Sequence, residues 1–137
     1  MRPRDGDVHA LAHRALRARG VPAAVNERLA AGVEAKALMR RIMAEGGFAT
    51  VLRKGDEERG SLLLVIAEKG RHFTCLERQL QVSGAYEWSE TGPGSESEMA
   101  EISQFLEKKR RNDPDLWLIE LDIANGKRFV AEMTEFP

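Results

Sequence analysis

The stretch that most limits what this chain can become is S61-L-L-L-V-I-A67. A strand with one wet face alternates apolar and polar residues, and this one does not. Apolar side chains point to both sides, so the strand must be central in a sheet and covered on both faces. Either helices cover both faces or a second copy of the chain covers one.

The neighbouring segments read as strands and turns. F48-A-T-V-L-R-K54 is strand-like, and G55-D-E-E-R-G60 is a loop with a glycine at each end. Glu68-Lys69-Gly70-Arg71 predicts a tight turn, and H72-F-T-C-L-E-R78 a third strand. In that strand Phe73 and Cys75 share one face, and Thr74 and Leu76 the other. The three strands in succession predict an antiparallel meander. Residues 81–97 are irregular apart from Trp88, and T91-G-P-G-S-E-S97 is a loop by composition.

Two helices frame these strands. Ala35, Leu38, Met39, Ile42 and Met43 recur at helical spacing, and Gly46-Gly47 supplies the stop. Gly32 interrupts the helix-forming run that begins at Pro22. Met99, Ile102, Phe105 and Leu106 form the stripe of a second helix over 96–111, with Ser95 and Glu98 at capping-box spacing. K108-K-R-R111 closes it, placing cations at the negative end of the helix dipole. Asp113-Pro114-Asp115 is the turn into a strand. There Trp117, Ile119, Leu121 and Ile123 share one face, and Leu116, Leu118, Glu120 and Asp122 the other. Asn125-Gly126 predicts a hairpin returning through K127-R-F-V-A131. The expected fold is therefore α+β: a mainly antiparallel sheet of about five strands packed against two helices, with an N-terminal helical arm.

At 137 residues, with 42% apolar and 31% charged content, the chain suits one globular domain. We assign residues 22–137 to that domain and residues 1–21 to an N-terminal extension. In the extension Val8, Leu11, Ala12, Ala15 and Leu16 fit an amphipathic helix ended by Gly20. No apolar run is long enough to span a membrane and no secretory leader is evident, which points to the cytoplasm. The single cysteine, Cys75, excludes an internal disulfide and a cysteine-based zinc cluster. Net charge is −1 but divided: residues 1–47 hold nine Lys/Arg against five Asp/Glu, and the remainder twelve against seventeen.

F48-A-T-V-L-R-K-G-D56, Gly60 with the apolar strand after it, Trp88, R110-R-N-D-P-D-L-W-L-I-E-L-D122 and Gly126 resemble a small bacterial family known as domain of unknown function 1491. The resemblance spans approximately residues 33–130. It implies one compact domain, and it brings no activity, cofactor or catalytic residue with it.

Several residues are candidates for chemistry or binding. Glu120 and Asp122 share a strand face, with Lys127 across the expected hairpin, which makes them candidates for a metal-dependent hydrolase, although the lysine that usually stands two residues after the second acid is missing. The alternative is the solvated end of an edge strand. Arg40, Arg41, Lys108, Lys109, Arg110 and Arg111 could contact phosphates if the two helices are neighbours. Such binding would be weak and sensitive to salt. Trp88 and Trp117 are candidates for an interaction surface, against the simpler role of core packing. His9 and His13 have the spacing of helical zinc ligands but no third partner, so no metal is assigned. No phosphate-binding glycine loop or serine nucleophile motif occurs, and no cofactor is expected. The best-supported function is a non-enzymatic interaction module whose partner is another protein or a second copy of itself. Weak nucleic-acid association and metal-dependent hydrolysis are the alternatives.

Overall fold

The computed structural model describes residues 30–135. Helix α1 (Ala31–Ala44) leads into strand β1 (Phe48–Arg53), followed by β2 (Leu62–Glu68), β3 (Arg71–Leu80) and β4 (Tyr86–Thr91). Helix α2 (Met99–Asn112), strand β5 (Trp117–Asp122) and helix α3 (Gly126–Glu135) complete it. The five strands form one sheet in the order β1-β5-β2-β3-β4. The fold is α+β, with one parallel pair, β2–β5, in an otherwise antiparallel sheet. The expected N-terminal arm lies outside the described residues.

Strand β2 is central, and Leu62 to Ala67 are all buried. Leu62, Leu64 and Ile66 join Leu76, Trp88, Trp117, Ile119 and Leu121 on one face, under α1 and α3. Leu63 and Val65 join Cys75, Leu116 and Leu118 on the other, against Phe105 and Leu106 of α2. The unbroken apolar run thus follows from helices on both sides of the sheet.

Several expectations require correction. β1, β2 and β3 are not a simple meander: β5 inserts between β1 and β2, antiparallel to the first and parallel to the second. The loop between β1 and β2 is long enough to step over a strand, and α2 carries the chain back to the vacant side of β2. The hairpin at Asn125-Gly126 does not form. Asn125 takes the left-handed φ of 60° that suggested it, but a helix follows. Both sides of β5 are already paired, so a returning strand has no place there. Phe129, Val130 and Met133, at helical spacing, cover the sheet instead.

Residues 86–91 supply the fifth strand, which the sequence did not mark. Phe73 packs with the cluster of Leu76 rather than that of Cys75, because the register slips between Ile66 and Ala67 and leaves Phe73 as the extra residue of a bulge. Boundaries shift for local reasons. Gly32 lies inside α1, where its N–H donates to the Glu57 carbonyl at 2.8 Å. The capping box of α2 is Glu98 with Glu101, not Ser95 with Glu98, because a turn from Gly94 to Ser97 uses the earlier residues.

Candidate functional site

Three acids on or near D-P-D-L-W, namely Asp56, Asp113 and Asp122, hold backbone with their carboxylates. The Asp56 N–H donates to the Asp115 carbonyl at 3.0 Å, and the Trp117 indole N–H donates to the Asp56 carbonyl at 2.8 Å. Asp56 Oδ1 accepts the N–H groups of Glu58 and Arg59 at 2.8 and 2.7 Å. Those bonds hold its carboxyl below the usual carboxylate range. Asp113 Oδ1 accepts the Asp115 N–H at 3.1 Å, an Asx turn. Ala30 caps α1 without a side-chain bond, and the carbonyls of Glu57 and Glu58 take up the first N–H groups of the helix instead. A Cβ at Gly55 or Gly60 would stand 2.7 or 2.9 Å from Cδ1 of Trp117 and closer still to the Asp115 carbonyl. The two glycines therefore let the loop lie flat on the indole.

Asp122 has a similar task. Lys69 and Gly70, with φ of 50° and 81°, form the two-residue turn between β2 and β3. Their N–H groups donate to the two Asp122 oxygens at 2.8 and 2.7 Å. Glu120 is half-buried on the α2 face, opposite Thr50 of β1 and Val65 of β2. Lys127 belongs to α3, not to a facing strand. Among the described residues no group of three His, Cys, Asp or Glu side chains is arranged to hold a metal. His72 is half-buried, with Nε2 2.9 Å from the Pro93 carbonyl. His9 and His13 lie outside the described residues.

The candidate phosphate-binding cations fall on opposite faces of the sheet. Arg40 and Arg41 belong to α1 on one side, and Lys108 to Arg111 to α2 on the other. Arg41 stacks on Phe129 with its Cζ 5.3 Å from the ring centre, and pairs with Glu45 and Glu132 at 3.3 and 3.7 Å. Burial lowers its pKa against those acids. Lys109 reaches Glu77 at 2.7 Å and lies over Phe105. Arg110 pairs with Glu107 at 3.1 Å, which raises the arginine and lowers the acid. Arg40, Lys108 and Arg111 are exposed. The arrangement neutralises half of the set and offers no shared groove.

Trp88 and Trp117 are 5% and 4% exposed and belong to the core. The Arg78 guanidinium, ion-paired with Glu34, lies 4.7 Å from the Trp88 ring centre. Exposed apolar side chains lie elsewhere: Leu80, Val82 and Tyr86 where β3 meets β4, Val33, Met43 and Met99 singly on the helices, and a group on β1. Phe48 is 74% exposed, and Val51 and Leu52 are also open to solvent. Among the described residues β1 is an outer strand paired on one side only, and five residues in succession, F48-A-T-V-L52, carry no charge. The other outer strand, β4, carries Glu87 and Glu90. Charge on an outer strand discourages further pairing, so the two edges differ in kind. The signal was legible as a charge-free run, but which strands are outer depends on where β5 inserts.

The sequence matches the family model described as protein of unknown function (DUF1491) over residues 29–131. Among solved structures it is similar to a DUF1491 family protein from Caulobacter crescentus in a crystal structure: 27% identity, TM-score 0.64, covering 74% of this chain and 94% of that one. An NMR structure of a DUF1491 family protein from the same organism gives 27% identity and a TM-score of 0.63, covering 74% and 91%. The solution structure of protein Atu0922 from A. tumefaciens gives 30% identity and a TM-score of 0.60, covering 72% and 88%. No curated protein matches the chain. No helix among the described residues is long and apolar enough to cross a membrane.

Proposed function

The chain belongs to the DUF1491 family, and on that premise we propose that it is a non-enzymatic, cytoplasmic interaction module that takes a partner strand onto β1. The observation that carries this reading is the open edge: Phe48, Val51 and Leu52 exposed on an outer strand whose first five residues carry no charge. Pairing there would satisfy a free row of backbone donors and acceptors while burying apolar side chains on alternate faces, the physics of strand addition. Of the two acids that might have served catalysis, Asp122 supports a turn and Glu120 sits half-buried within β5, while the tryptophans support the core, which favours binding over chemistry.

The test is affinity capture from native extract with the full chain and with Phe48→Ser, each with and without nuclease. The expected result is a stoichiometric protein partner that survives nuclease and moderate salt and is lost with Phe48→Ser. Capture that ignores Phe48→Ser and collapses with nuclease would refute the reading and bring Arg40, Lys108 and Arg111 forward.

A further inference from the structure

We propose that the occupant of β1 is a second copy of this chain, joined antiparallel about a two-fold axis at Thr50 to give a continuous ten-stranded sheet. The inference rests on the strand-accepting reading of β1. It comes from the pattern of side chains along the strand. The register with β5 puts Phe48, Thr50 and Arg53 on the face of Asp122, Glu120 and Leu118, and Ala49 and Val51 on the face of Leu121 and Ile119. Leu52 has no partner on β5 and is the extra residue of a bulge.

An antiparallel pair centred on Thr50 sets Thr50 against its symmetry mate and Ala49 against Val51 of the other copy. Phe48 then meets the Leu52–Arg53 bulge. Like residues face like in kind, small or apolar throughout, and the faces of the two sheets run on without a break. The one cation of the strand falls beside an aromatic ring, a favourable contact. Beyond that ring on the same face is Asp122, the β5 partner of Phe48. Strands lie about 4.8 Å apart, so the backbones of Asp122 and the incoming Arg53 would be roughly 10 Å apart, within reach of an extended arginine. Opposite charges thus approach across both halves of the joint.

Parallel in-register pairing has the reverse character. It would place Arg53 beside Arg53 and Lys54 beside Lys54, and like charges directly opposed are destabilising. The sequence therefore favours a closed two-fold pair over an open stack. At the far edge Glu87 and Glu90 on β4 stand against further growth. Helix α1 packs on β1 over the Ala49 and Val51 face, so the axis brings two α1 helices to one side of the joined sheet.

The experiment uses the full chain. Sedimentation should show a concentration-dependent dimer. Thr50→Lys, at an exposed position, opposes two ammonium groups on the axis and should weaken the dimer by roughly tenfold or more, a 1.4 kcal/mol change, with the circular dichroism spectrum unaltered. Thr50→Cys should give a disulfide-linked dimer under mild oxidation, while Ser103→Cys on the exposed side of α2 should not. Cys75 is buried and contributes no background. A wild-type chain that stays monomeric through the high-micromolar range overturns the proposal. So does a dimer that tolerates Thr50→Lys and fails to cross-link at position 50. If the chain is monomeric yet a foreign partner is still lost with Phe48→Ser, only the self-pairing falls; if that loss is absent too, the edge reading falls with it.

Discussion

Asp122 offers the sharpest test of whether the acids punctuate the fold or act on a substrate. It receives two backbone N–H groups, at 2.8 and 2.7 Å, from a turn in which Lys69 holds a left-handed φ of 50°. Hydrogen bonds to a charged group contribute about 1.5–3 kcal/mol each. Lys69 and Gly70 are exposed, so water recovers part of the loss, and Asp122→Ala should cost about 2–3 kcal/mol in total. Asp122→Asn keeps one acceptor but turns an amide N–H₂ toward the second donor, so about 1–2 kcal/mol is expected. Lys69→Asn should act in the opposite direction by about 0.5–1 kcal/mol, because Asn-Gly suits a two-residue turn with both φ values positive. Urea unfolding measures all three, with an unchanged slope marking a true stability effect. In hydrogen exchange the Lys69 and Gly70 amides should lose protection in Asp122→Ala. A cost for Asp122→Ala below about 0.5 kcal/mol would refute the clamp. A divalent ion that stabilised the wild type but not Asp122→Asn would restore the metal reading.

Other expectations are as specific. Gly55→Ala or Gly60→Ala should destabilise by about 2 kcal/mol or more, since each methyl meets the Asp115 carbonyl and the Trp117 ring; the double variant should cost less than the sum, because both press on the same indole. Burial, with a smaller contribution from Glu77, pushes the Cys75 thiol up to about 12. The native protein should therefore resist alkylation at mildly alkaline pH and react on adding urea, and its stability should decline as pH rises above the ordinary thiol value of about 8.5; rapid labelling of the folded chain would contradict this. The Asp56 carboxyl is depressed by the N–H bonds from Arg59 and Glu58. Its contribution is present above the ordinary aspartate pKa and fades as pH falls through the lowered folded value. Asp56→Asn should accordingly flatten the acid limb of a stability–pH profile.

The legible parts of this fold were those decided by local pattern. The two-sided apolar run of β2, the stripe of α1 closed by Gly46, and the alternation from Trp117 to Ile123 each follow from periodicity, and all three appear in the structure. What failed depended on partners distant in sequence. Asn125-Gly126 carries the local chemistry of a hairpin, and it was overruled because β1 and β2 already occupy both sides of β5. Tyr86 to Thr91 has too few apolar residues to announce a strand, and gains that state by pairing with β3. The candidate residues divide in the same way. That Asp113 serves a turn could be read beside Pro114, whereas the task of Asp122 could not, because its turn lies in another hairpin. The exposure of Phe48 was equally hidden until β1 proved to be an outer strand.

The insertion of β5 between β1 and β2 has a consequence for the order of events during synthesis. β1 leaves the ribosome early, yet its only neighbour in the sheet among the described residues is about half the chain away, with Phe48 opposite Asp122. β2, β3 and β4 can zip together as soon as they emerge, because each pairs with the next. β1 must wait, apolar and unpaired, until the last strand is delivered, and closing so long a loop is slow relative to local pairing. A ribosome-bound chain stopped before Trp117 would hold a three-stranded sheet with one side of β2 open and β1 adrift. The final seating of β5 would then convert two separate pieces into one cooperative unit.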